Sequence, residues 1–412
     1  MGISTDLGAV DPTNGFPSVV TATATSVIGE LKVIDVDAHI TESADLWTSR
    51  APAKYRDRVP TVIDTANGLF WSVDGVQLGR ALGGSVIARG RTKVPGIAFM
   101  NWNADVTDPS AYDMVERVRV MDDMGIWAQI LYPNAAGFGS QAFAKVNDPE
   151  LRRLCASIFN EAMLEIQHTS SERLLPMALL PWWDIDASVV EATKAAADGF
   201  RGVTMHSDPQ NLGLADLGDR AWDPLWEVCS DQHLPINFHI GASETSLTWF
   251  GTSPWPSQNE ENRLAIGSSM MYLSNARVLA NMIYSGVLER FPTLQLVSVE
   301  SGVGWIPSFL EALDYQQRES APNSVDQLSL RPSDYFRRQV YGCFWFERAS
   351  VPHAVEALGA DHILFETDYP HPTCLYPDPL GQVAALEPLL GPAVMRKLLQ
   401  DNAAKLYRID VS

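Results

Sequence analysis

The feature that most constrains the fold is an alternation that starts at Lys32. Short apolar runs are separated by amphipathic stretches, the pattern of parallel β-strands joined by crossover helices. Eight runs read as strands: 33–39, 126–132, 174–181, 200–206, 235–240, 294–300, 339–345 and 362–368. Between them, apolar residues recur at spacings of three and four over 187–197, 223–231, 276–290, 303–313 and 350–357, which predicts helices. Eight such units predict an α/β fold, a (β/α)8 TIM barrel. It is expected to form a single domain over residues 31–412, behind a loose tail at 1–30. Two stretches exceed a minimal barrel. Residues 50–110 contain FWSVDGVQLGR, a hairpin with Asp74-Gly75 at its turn, and predict a small inserted β subdomain. Residues 243–262, rich in Ser, Pro and aromatics, predict a lid or binding loop after the fifth strand.

Strands buried on both faces should be continuously apolar, so their polar exceptions carry the information. Asp37 and His39 close the first strand and, two apart, share a side. His206 closes the fourth, His239 the fifth, Glu300 the sixth and Asp368 the eighth. In this fold the carboxyl ends of all strands gather at one face, where active sites sit. Three imidazoles and three carboxylates there make a ligand set for one or two divalent cations. Without a cation they would be a costly concentration of buried charge.

Composition narrows the partners. A net charge of −20 repels phosphate backbones and anionic lipid, so neither nucleic acid nor membrane is expected. Cys155, Cys229, Cys343 and Cys374 form no CxxC pair, and no apolar run is long enough to span a bilayer. A cytoplasmic protein is expected.

The motifs VDAH on the first strand, PINFH on the fifth and ETDYPHP on the eighth resemble the amidohydrolase superfamily. The resembling branch contains aminocarboxymuconate semialdehyde decarboxylase and the resorcylate decarboxylases, and the likeness runs from about Val33 to Tyr407. It implies that Asp37, His39, His239 and Asp368 bind metal. That branch ends its sixth strand in a His within a sequence like HGGG, whereas this chain reads SVESGVGW and places Glu300 there. Glu300 can be a base, a ligand completing a second metal site, or a structural carboxylate. His206, Glu42 and His371 are the further candidates for that second site.

Together, ESGVGWIP and ETDYPHP are also similar to the barrel-fold non-haem diiron monooxygenases of platensimycin and platencin biosynthesis. That resemblance implies two Fe ions per chain and O2-dependent hydroxylation of an apolar, terpenoid-like substrate, carried in relatives as a coenzyme A thioester. Glu300 and His206 would be catalytic. With no flavin or nicotinamide motif in the chain, an external electron donor or reductase is implied. Tyr132, Trp249, Phe250 and Trp345 are the expected pocket walls, and Arg89, Arg91 and Lys93 the best local cluster for coenzyme A phosphates. The alternative keeps the branch's commoner chemistry, with one Zn or Mn serving hydrolysis or decarboxylation and Glu300 as the base. A barrel that binds a ligand without turnover is the third reading. Barrels of this kind often form homo-oligomers.

Overall fold

The computed structural model describes residues 26–412 except 82, 103 and 248–254. All eight expected strands are present and pair in parallel in chain order: Val33–Ile40, Ile126–Pro133, Leu174–Pro176 resuming at Ala178–Leu179, Val203–Thr204, Ile236–His239, Leu296–Val299, Val340–Phe344 and Ile363–Phe365. The third strand links its neighbours, with Met177 N–H donating to the Leu131 carbonyl and Ala178 N–H to that of Gly202. The ring closes between the last strand and the first, where Asp368 N–H donates to the Asp37 carbonyl at 2.9 Å and His39 N–H to that of Tyr369 at 2.7 Å. The fold is a TIM barrel.

Alternate residues fill the interior, among them Ile34, Val36, Ile130, Met177, Val299 and Leu364. The C-terminal helix Asn402–Tyr407 packs Leu406 and Tyr407 against this interior core. Helices on the outer face start and stop where the sequence supplies caps. Asp113 accepts the Val115 and Glu116 N–H groups to open Met114–Met124, and Gly125 ends it at φ +74°. Asp184 and Gly199 bound Ile185–Asp198 in the same way.

Two expected helices differ from their sequence patterns. The run at 276–290 breaks into Asn275–Tyr284 and Val287–Arg290, because Gly286 adopts φ +73° between them. The helix expected from 303 begins at Ile306. Before it, the Val303 and Gly304 N–H groups wrap the Glu347 carboxylate at 2.7–3.1 Å, which holds these residues in a turn.

Between the first two strands lies a three-stranded antiparallel sheet, Thr61–Thr65, Gly68–Val73 and Val76–Arg80. Its Asp74-Gly75 turn has positive φ at both residues, as an Asp-Gly hairpin requires. A ribbon, Ile87–Ala88 with Thr92–Lys93, follows. Of the expected N-terminal tail only 26–30 are described, including a 3₁₀ turn at Val27–Glu30; its remainder lies outside the described residues. Among the described residues, no helix is long and apolar enough to cross a membrane.

Candidate metal centre

The first strand does not keep strict alternation. Its register with the second shifts between Asp35 and Ala38, and such an irregularity re-aims the side chains beyond it. Asp35 accepts from the Thr367 N–H (2.7 Å), the Thr367 hydroxyl (2.6 Å) and the Gln129 amide (2.8 Å). Gln129 in turn accepts from Arg117 of the helix Met114–Met124, so this network lies on the helix side. Arg117 also donates to the His39 carbonyl at 2.6 Å. Past the shift, Asp37 and His39 turn to the opposite, inner side.

There the ends of four strands converge. His39 Nε2 and His239 Nε2 face each other at 3.2 Å. Asp37 Oδ1 lies 3.5 Å from the first and 3.4 Å from the second. Asp368 Oδ1 is 3.5 Å from His39 Nε2, and Glu300 Oε2 is 3.3 Å from His239 Nε2. All five residues are buried. Both Asp37 oxygens and Asp368 Oδ1 lack any hydrogen-bond partner.

Protonation agrees with a cation at this point. Burial holds His239 down to about 4, and burial with the neighbouring His371, His239 and Arg117 holds His39 well below the usual imidazole range. The His239 Nδ1–H donates to the Ile240 carbonyl at 2.6 Å, which leaves Nε2 as a lone pair. Burial, then the Asp368 charge, pushes Asp37 and Glu300 well above the usual carboxylate range. The donors converge in a dry site where the Asp37 oxygens and Asp368 Oδ1 have no partner, which a cation would supply. Four ligands at about 2.1 Å from a central ion would be roughly 3.4 Å apart in a tetrahedron, which matches the spacings here. The residues fit a divalent ion.

His371 joins the edge of this group. Its ring stacks on His39 at 3.5 Å, its Nδ1 lies 3.2 Å from Asp368 Oδ1, and its Nε2 lies 3.0 Å from Asn134 Oδ1. Two overlapping sets of potential ligands result, Asp37, His39, His239 and Glu300, and His39, Glu300, Asp368 and His371. They share His39 and Glu300, so the two sets are contiguous.

Two sequence candidates are not brought into it. Glu42 turns toward the loop after the second strand and accepts the Asn134 and Ala135 N–H groups at 2.9–3.0 Å, with burial pushing its carboxyl up to about 7. His206 stacks on Trp182 at 4.1 Å, accepts the Asp208 N–H on Nδ1, and faces Glu244 with Nε2 at 3.6 Å. The strand pattern locates both near the mouth but does not give the course of the loops that claim them.

The expected walls divide similarly. Tyr132 is wholly buried and donates to Asn237 Oδ1 at 3.1 Å, a bond inside the barrel. Trp345 is also buried, edge-on to Tyr272 at 5.2 Å. Trp249 and Phe250 lie outside the described residues. Arg89 donates to the Asp105 and Ala104 carbonyls, Arg91 pairs with Asp123 and Glu116, and Lys93 donates to the Cys374 carbonyl. These three cations are therefore engaged within the fold rather than offered to phosphates.

Two residues at the centre escaped the sequence reading. Phe138, on the loop after the second strand, packs its ring 4.3 Å from that of His239 and 5.0 Å from that of His39. Nothing in the loop sequence signals this. Glu366 is wholly buried, and burial followed by the Asp37 charge pushes its carboxyl well up. Its signal was available, because it stands two residues before Asp368 and so shares that residue's face.

Comparison with known proteins gives a family model described as amidohydrolase that matches residues 34–409. A γ-resorcylate decarboxylase of Polaromonas sp. (strain JS666 / ATCC BAA-500) is 24% identical over 266 residues, 62% of this chain and 76% of its own length. The crystal structure of an amidohydrolase from Mycobacterium avium subsp. paratuberculosis K-10 superposes with a TM-score of 0.73 at 22% identity, covering 92% of this chain and 98% of that one. A 5-carboxyvanillate decarboxylase from Novosphingobium aromaticivorans DSM 12444, complexed with manganese and 4-hydroxy-3-methoxy-5-nitrobenzoic acid, superposes at 0.59 with 19% identity, covering 73% and 81%. These findings overturn the expected monooxygenase, its two Fe ions and its oxidoreductase class, since the relative from Polaromonas and the Novosphingobium protein are decarboxylases and the latter holds manganese. Of the further ligand candidates, Glu42 and His206 are committed elsewhere, and His371 alone joins the centre.

Proposed function

The chain belongs to the amidohydrolase family, and on that premise we propose that it is a carboxy-lyase that removes CO2 from a small aromatic acid with one manganese or zinc ion. The observation that carries the reading is the buried convergence of two imidazole Nε2 atoms with partnerless carboxylate oxygens. Asp37, His39, His239 and Asp368 would hold the ion. Bound there, a divalent ion supplies Lewis-acid polarisation of substrate oxygens. Zinc or manganese suits neutral imidazole and carboxylate donors.

The chain's own groups do the rest. Phe138 lays an apolar face against His39 and His239, which excludes water and suits a flat ring. Glu300 is the proton carrier. As the ring–carboxylate bond breaks, its electron pair stays on the ring carbon, CO2 leaves, and the Glu300 carboxyl gives that carbon a proton later regained from solvent. No electrons enter or leave, so no reductase is required. The described thiols are free and buried, which suits a reducing compartment such as the cytoplasm.

The test is metal-depleted protein reloaded with manganese or zinc and offered hydroxylated benzoates without oxygen. Metal-dependent CO2 release with one ion per chain is expected. No release from any acid, with hydrolysis of an amide or ester instead, would replace this reading with the hydrolase.

A further inference from the structure

Glu300 and Asp368 follow the sixth and eighth strands with left-handed backbones, at φ +53° and +58°. A residue with a Cβ enters that region only against steric resistance, and such positions persist where surroundings over-determine them. At Asp368 the N–H is held by the Asp37 carbonyl across the closing seam. At Glu300 the N–H is held by a side chain, donating to Glu366 Oε2 at 3.1 Å.

Glu366 is an expensive choice for that task. It is wholly buried inside the barrel, and its other oxygen, Oε1, has no hydrogen-bond partner. An apolar residue would fill the space without the desolvation penalty. Its direction is fixed from outside: Asp35 grips both the N–H and the hydroxyl of Thr367, which turns Thr367 outward and its neighbours Glu366 and Asp368 inward.

We propose that Glu366 is a positioning residue, whose Oε2 pins the Glu300 N–H and so holds the left-handed turn that aims the Glu300 carboxyl at the metal centre. The proposal rests on the reading of Glu300 as proton carrier. It concerns geometry: the amide oxygen of a glutamine can accept the same N–H, and a leucine cannot.

The experiment compares Glu366→Gln and Glu366→Leu with the unaltered chain. First, deuterium exchange of the segment 297–302 is measured by mass spectrometry on metal-free protein. Exchange in the leucine variant is expected to be faster by about tenfold, and that of the glutamine variant unchanged. Second, with manganese restored, the leucine variant is expected to lose about 10- to 100-fold in kcat with KM nearly constant, and glutamine to recover most of it. A leucine variant that matches the unaltered chain in both readouts overturns the proposal. So does a glutamine variant that falls as far as leucine. Should leucine prevent folding, Glu366→Ala takes its place with the same expectations. If the unaltered chain decarboxylates nothing while the exchange contrast holds, the reaction fails and the pin stands.

Discussion

Two neutral imidazoles bring their Nε2 atoms to 3.2 Å beside Asp37 oxygens that have no partner, a convergence that a shared cation would satisfy. His239→Ala is therefore expected to lower bound metal from one ion per chain to a small fraction, read by mass spectrometry of purified protein, because one of four ligands disappears. Single acids add a pH dependence to the metal-free chain. Asp35 and Glu42, both pushed to about 7 by burial, keep protons in the folded chain that the unfolded chain has already released. The folded state then binds more protons, so stability falls as pH rises from about 4 to about 7. Asp37, Glu300 and Glu366, held well above the usual carboxylate range by burial, act in the same sense. His239, held to about 4, acts in the opposite sense but only below about 6.5, where its unfolded counterpart takes up a proton. Melting of protein in a chelator should thus show a Tm that declines between about pH 6.5 and 8; a Tm that rises over that interval would refute the buried-acid account.

Elements repeat the lesson one level up. The strand pattern was legible because polar residues interrupt otherwise apolar runs, so Asp37, His39, His239 and Asp368 could be placed at one mouth from sequence. Loops were not legible in this way, and they decide where Glu42 and His206 point. The motif that suggested iron shows the same gap. In ESGVGWIP, Val303 and Gly304 surround Glu347, and the Trp305 indole N–H donates to the Ser301 carbonyl at 2.9 Å. Much of its distinctive sequence thus shapes a turn before the helix Ile306–Glu319 rather than contributing to oxygen chemistry. Glu347→Ala, which leaves those N–H groups without their acceptor, should destabilise the protein by about 1–3 kcal/mol, read as a lower urea midpoint. An unchanged midpoint would mean water replaces the carboxylate there.

For the whole molecule, the proposed ion would tie together strands one, five and eight. Stripping it should lower Tm by several degrees, and adding manganese back should restore it in a concentration-dependent way, as ligand linkage requires. Scanning calorimetry with and without chelator checks this, and a Tm indifferent to metal would count against the centre. The barrel could be read from eight repeats, whereas the reaction could not, since one architecture supports many chemistries through a few side chains at its mouth. The seam between the first and eighth strands also sets an order in time. Asp37 and His39 are made before Asp368, with six strands of the barrel between them. A growing chain therefore cannot offer the proposed ligand set until the eighth strand of the barrel has left the ribosome, and a metal would settle fully only once the ring can close.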